Sequence, residues 1–341
     1  MTHLLTHDPI PWLLEQESLS ALRTRRLLGI DLREDADAVH ALERDLAESQ
    51  LKDGSFAQSP MKTAGLLNLL DDLRASDSEK QIARAASYLI TLLESQPGYE
   101  RARTVTPGNL RTPCDLCGFF GPYEDRASPE AMADGAREMN FYREYEPLLG
   151  PSKPVRTERR SSLDRAGPAS CYSWGLIPLS YTVEALCRAG YAEDERLRPA
   201  INVLLGVQRE SGGWCRNLGG HPTCTAHGFR WLGKHPQLRA SEYATCALGF
   251  VRKNTKGSGI FPALQALASF PRSIAGQIIR ELLADLAPRQ RKNGTFGKPH
   301  QVEKIAAALI AARALGDSDK KNRSDEGHHR TTASLLGTYS Y

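Results

Sequence analysis

Three thiols and one imidazole stand where they could hold a metal ion. Cys215, Cys224 and His227 fall within thirteen positions, and Cys171 heads an apolar run one helical hairpin earlier. Loops of stacked hairpins share a rim, so these four residues could converge. Zinc suits such a set, because it accepts soft thiolate and borderline imidazole ligands in a tetrahedron without an electronic demand of its own. Four protein ligands would make the ion structural, and an open position would make it catalytic. The competing reading is that the cysteines are free and pack as small apolar side chains. Cys114-Asp115-Leu116-Cys117 has ligand spacing as well. It could complete a four-cysteine site with Cys215 and Cys224, or act as a redox pair, although no βαβ pattern surrounds it.

Other chemistry-bearing groups lie nearby. Tyr172, Trp174, Tyr181, Trp214, Phe229 and Trp231 cluster in the same stretch. Their rings either line a cavity, guiding a hydrocarbon chain or a carbocation, or fill an ordinary core. Arg101, Arg103, Arg111, Arg126, Arg156, Arg159 and Arg160 could neutralise a diphosphate, since guanidinium forks match phosphate oxygens; otherwise they belong to a solvated loop. The acidic groups Asp35-Ala36-Asp37 and Asp71-Asp72 with Asp77 read as solvated helix surface.

The elements that position these groups are helical. Apolar spacing predicts helices over residues 11–30, 39–51, 63–73, 81–93, 176–189, 196–208, 226–232, 241–251, 260–270, 274–286 and 302–315. Strand signals are scarce. Three short turns recur in one register: Gln50 to Phe56, Gln208 to Trp214 and Gln290 to Phe296, each a glutamine, a polar turn, a glycine and an aromatic residue. Gln96-Pro97-Gly98-Tyr99 is a weaker fourth copy, so the turns are separated by 46, 112 and 82 residues. A repeat of about 40 to 50 residues, each one a helical pair that cannot bury its own apolar face, implies stacking into a shared core. The expected architecture is an all-α array of helical hairpins in one domain over residues 1–316. An irregular insertion interrupts it at about 100–167, where only 129–145 has helical character, and a polar tail follows over 317–341.

The apolar helix, the turn Gln208 to Trp214 and the helix beyond it resemble the repeat of the squalene cyclase, terpene cyclase and protein prenyltransferase superfamily, and poorly characterised bacterial members in particular. The resemblance implies an α/α toroid whose inner helices line a central cavity, and an isoprenoid-type substrate in it. Cys171-Tyr172-Ser173-Trp174-Gly175-Leu176-Ile177-Pro178-Leu179 is similar to the prenyltransferase segment that begins with a zinc-ligating cysteine, which implies that role for Cys171. Ala169 stands where that family has a second ligand, an aspartate, and Pro222-Thr223-Cys224 stands in place of its His-Thr-Cys triplet. The Asp-x-Asp-Asp acid of the class II cyclases is absent, and the spacing of Asp71, Asp72 and Asp77 departs from the magnesium-binding Asp-Asp-x-x-Asp motif.

Two functions follow as expectations. One is a prenyltransferase- or cyclase-like enzyme with substrate among Tyr172, Trp174, Tyr181, Trp214 and Trp231 and zinc on Cys171, Cys215, Cys224 and His227. The other is a non-catalytic helical scaffold that binds a protein partner, tied by a structural metal or by packed thiols. Net charge is +4 from 44 basic and 40 acidic residues, a mixed surface that argues against a dedicated nucleic-acid binder. No apolar run has membrane-spanning length and the first residues lack a leader pattern, which makes the cytoplasm the expected compartment. Seven cysteines spread over a chain of this length point to reduced thiols or ligands rather than a disulfide framework.

Overall fold

The computed structural model describes residues 5–30, 32–73, 75, 78–95, 99–104, 177–206, 208–214, 222–297 and 301–316. Among them the fold is all-α, as the periodicity predicts, with a lone antiparallel bridge between Gln50 and Phe56 and no strand. The α-helices are α1 (Ile10–Leu14), α2 (Leu19–Leu28), α3 (Arg33–Ser49), α4 (Pro60–Leu73), α5 (Glu79–Glu94), α6 (Tyr99–Thr104), α7 (Ile177–Leu186), α8 (Arg198–Gly206), α9 (Pro222–Lys234), α10 (Glu242–Asn254), α11 (Ile260–Leu267), α12 (Arg272–Leu286) and α13 (Gln301–Gly316). No described helix is long and apolar enough to cross a membrane.

One expected helix is divided. The apolar run over 11–30 splits into α1 and α2 because the Ser18 side chain accepts from the Ala21 N–H at 3.2 Å and starts a new helix. Gly29, left-handed at φ +66°, ends it. The weak fourth turn copy lies at 96–98, outside the described residues, but its Tyr99 is buried at the start of α6 and donates its hydroxyl to the Arg196 carbonyl.

Helix contacts alternate between two classes. α2 packs on α4, α4 on α7, α7 on α9, α9 on α11, α11 on α13, and α13 returns to α2. α5 lies against α4 and α7, α8 against α6 and α7, α10 against α9 and α12, and α12 against α11 and α13. The sequence explains the division. α7 buries every residue from Leu179 to Leu186, and α13 buries the run Ile305 to Leu309 together with Ala311 and Ala312; helices that are covered on all sides have no solvent face to pattern. α5, by contrast, buries a single stripe of Ala85, Ala86, Leu89, Ile90 and Leu93.

The three repeated turns share one hydrogen-bond plan. Gln50 Nε2 donates to the Gly54 carbonyl within its own turn and to the Gln81 carbonyl of α5, at 3.0 and 2.9 Å. Gln208 Nε2 does the same toward Gly212 and Tyr243, at 3.0 and 2.8 Å, and so pins its turn to α10. Gln290 Nε2 reaches Gly294 and the carbonyl of His7, at 2.9 and 2.7 Å, while His7 N–H donates back to Gln290 Oε1 at 2.8 Å. The third clamp therefore joins the last turn to the N-terminal segment. Replacing Gln208 by leucine keeps the volume but leaves two carbonyls without their donor, so urea unfolding should show a loss of about 1–3 kcal/mol with the slope unchanged. An unchanged midpoint would show that the clamp does not hold the hairpins together.

Candidate functional site

A cavity of about 380 Å³ lies where the six helices of the contact cycle meet. α2 contributes Ser20, Arg23, Thr24 and Leu27; α4 contributes Asp71 and Asp72; α7 and the turn after it contribute Glu184 and Arg188. α9 adds Arg230 and Lys234, α11 and its C-terminal turn add Gln265, Ala268 and Ser269, and α13 adds Glu303, Ala306 and Ile310. Arg188 follows α7 on a π-turn, Cys187–Tyr191, that closes through Gly190 at φ +93°. A left-handed glycine of this kind is a common way to end a helix. Arg188 and Lys234 both sit at helix C-termini, where the helix dipole favours cations.

The charged wall is organised as a chain of ion pairs across four helices. Arg23 Nε donates to Asp72 Oδ2 at 2.5 Å, and the other face of Asp72 receives Arg188. Arg188 Nε also donates to Asp71 at 2.6 Å, and its Nη1 lies 3.8 Å from Glu184. Glu184 in turn accepts from Arg230 Nη2 at 2.9 Å, and the Arg230 guanidinium lies over the Tyr181 ring, 5.5 Å from its centre. The Asp72 and Glu184 side chains are 3% and 2% exposed, so these charges depend on each other rather than on water.

Protonation follows from that arrangement. Burial by itself raises the Asp72 carboxyl, but Arg23 and Arg188 outweigh it and hold the group at about 2. Burial likewise disfavours the charged form of Arg188, yet Asp72, Asp71 and Glu184 keep its proton more tightly held than usual. Burial, reinforced by Glu184, pushes the Cys187 thiol up to about 12, which keeps it inert. Lys234 differs from its neighbours. Its side chain is exposed on the cavity wall, and among the described residues no hydrogen bond or ion pair reaches it. The protein crowding around it and the nearby Arg188 charge lower its pKa. Glu303 is the other ionisable wall residue without an ion pair among the described residues; it accepts a hydrogen bond from Ser20 Oγ at 3.3 Å.

Half of the residues expected to hold zinc lie outside the described residues. Cys171, Tyr172, Trp174, Cys215, Cys114 and Cys117 lie outside the described residues, as do Arg111, Arg126, Arg156, Arg159 and Arg160 and the helical stretch expected over 129–145. Cys224 and His227 fall one turn apart near the start of α9, ten and seven residues, or about 15 and 10 Å of helix, before Lys234. Among the described residues no group of three or more His, Cys, Asp or Glu is arranged to hold a metal. Arg101 and Arg103 lie on α6, where Arg103 pairs with Glu100 at 2.9 Å.

Tyr181, Trp214 and Trp231 are all buried, and none lines the cavity. Trp214 donates its indole N–H to the Leu204 carbonyl at 2.8 Å and stacks with Phe229, and Trp231 donates to the Gly228 carbonyl at 2.9 Å. The indole N–H groups of both tryptophans are thus bonded within the core. The acidic clusters also depart from expectation. Asp35 is buried in a two-pronged pair with Arg25, at 2.6 and 2.8 Å, and Asp72 is inside the cavity, so neither is solvated surface.

Sequence reasoning passed over Glu184, Arg188, Arg230 and Lys234. One signal was available: Glu184 is the lone charge in the apolar run Ile177–Leu186, which has no polar face to accommodate it. Compared with models of protein families, with curated proteins and with solved structures, this chain matches none.

Proposed function

We propose that the chain closes its helical hairpins into an α/α toroid and uses the central cavity as the site for a small polar molecule, in an enzyme-like arrangement. The cyclic helix contacts, together with the resemblance of the Gln208 to Trp214 repeat to the cyclase and prenyltransferase superfamily, support the ring. The single observation that carries the function is that all six helices of the cycle send polar or charged groups to one cavity of about 380 Å³, within the size of small-molecule sites. A hydrocarbon chain would cover Lys234 and Glu303, which have no ion pair among the described residues, without offering them a partner, which is unfavourable. The charged wall therefore favours a polar ligand over an isoprenoid tail. Lys234, Asp71 and Glu303 supply an amine and two carboxylates on that wall, the groups that proton transfer to a bound ligand would use.

A non-catalytic scaffold is the second reading, and the mutual pairing of Asp72, Arg188, Glu184 and Arg230 favours it. Thermal-shift screening against a library of polar metabolites separates the two. The expected result is a saturable stabilisation of the wild type that disappears in Ala268→Phe, whose ring would fill the cavity. A folded wild type that responds to nothing in the library would leave the scaffold as the better reading.

A further inference from the structure

We infer that the central cavity takes an anionic ligand, a carboxylate or a phosphate-type oxyanion, with Lys234, the wall cation that makes no ion pair among the described residues, as its direct contact. The inference rests on the polar-cavity reading and narrows its ligand class. On this wall the guanidinium groups are committed: Arg23 and Arg188 to Asp72, Arg188 also to Asp71, and Arg230 to Glu184. Lys234 shares the wall with them, exposed to the cavity, and among the described residues it has no ion pair or hydrogen bond. A cation without a partner and with protein crowded around it attracts an anion more strongly than the same cation in bulk solvent.

The charged groups around Lys234 come from each packed element: Arg23 from α2, Asp71 and Asp72 from α4, Glu184 and Arg188 from α7 and its turn, Arg230 from α9 and Glu303 from α13. Crowding and Arg188 act against the ammonium form, while Glu184, Asp72 and Asp71 act for it. An anion placed beside the amine would reverse that balance and hold the proton. Binding should therefore be coupled to proton uptake. Below the pKa of the free amine the site is charged and affinity is flat; above it, affinity falls by up to tenfold per pH unit, starting below the ordinary lysine range because the free amine is depressed.

Calorimetric titrations of the full chain with sulfate, phosphate and succinate test this, alongside the neutral polyol sorbitol as the contrasting probe. At least one anion is expected to bind the wild type. Lys234→Met should weaken that anion at least tenfold with the circular dichroism spectrum unchanged, because the amine holds no structural partner. Lys234→Arg should keep the affinity within a few fold and lose the fall with pH up to 10, read with the probe that bound; for sulfate and succinate the ligand charge stays constant across the alkaline range. Equal affinity in Lys234→Met, or binding of sorbitol with no anion bound, would overturn the anion assignment while leaving a polar cavity standing. If neither anions nor sorbitol bind, the anion assignment fails, and the metabolite screen decides separately whether the cavity is a ligand site at all.

Discussion

Asp72→Ala is expected to destabilise the fold by about 3–5 kcal/mol, because it leaves the buried Arg188, together with the part-exposed Arg23, without the carboxylate that both of them clasp. Asp72→Asn keeps the shape and loses the charge, so it should fall only slightly short of that. Arg188 makes the loss severe: its side chain is 8% exposed and has little access to water in place of Asp72. Removing the second charge should recover part of the stability, so Asp72→Asn with Arg188→Met is expected to be more stable than Asp72→Asn alone. Acid titration provides an independent check. The carboxyl is held at about 2 in the folded chain against 3.8 for a free aspartate, so its contribution, roughly 2 kcal/mol, is complete above about pH 4 and disappears as the pH falls through 2. The stability gap between wild type and Asp72→Asn should accordingly narrow on acidification. A loss below 1 kcal/mol at neutral pH would mean that the ion chain relaxes and contributes little.

Gly212→Ala should be comparably damaging, at about 3 kcal/mol or more, although it adds only one methyl group. Gly212 sits at φ +86°, where an L side chain is strained, and a Cβ there would come within 2.1 Å of the Cys246 carbonyl of α10. The turn cannot retreat without breaking the link from Gln208 to Tyr243. Gly249 on the same helix α10 is the control: it is exposed, and nothing lies within 4 Å of an added Cβ. Gly249→Ala should therefore be neutral or stabilise by up to about 1 kcal/mol through helix propensity. The pair applies one chemical change to one helix contact with opposite expected signs, which thermal or urea unfolding reads directly. A mild Gly212→Ala would show that the turn shifts away from α10 easily.

The fold was far more legible than the site, for a physical reason. The repeated glutamine, glycine and aromatic positions encode local geometry, a turn closed on itself and pinned to a neighbouring helix, so three registered copies announce the hairpins. Helix spans followed from apolar spacing, with the break at Ser18 passed over because the leucines on either side of the polar stretch Glu15 to Ser18 were read as one helical run. The cavity is assembled from distant parts of the chain: Asp72 meets Arg23 across 49 positions and Arg188 across 116. Read locally, Asp71-Asp72 is an ordinary acidic helix end, and only the partners brought by the fold give it another meaning. The aromatic cluster shows the opposite error. Trp214 and Phe229 do meet, so nearness in sequence pointed to a real contact, but it could not tell an interior surface from a cavity wall.

The clamp between Gln290 and His7, and the Arg313 hydrogen bond to the Leu27 carbonyl that joins α13 to α2, bear on how such a chain can change over evolutionary time. An open helical array has a free end on which a further repeat can be laid down. Here α13 lies against α2, so a hairpin added after α13 would have to prise it from α2 or find another surface. Growth is thereby diverted from the number of repeats to the lengths of the connections between them.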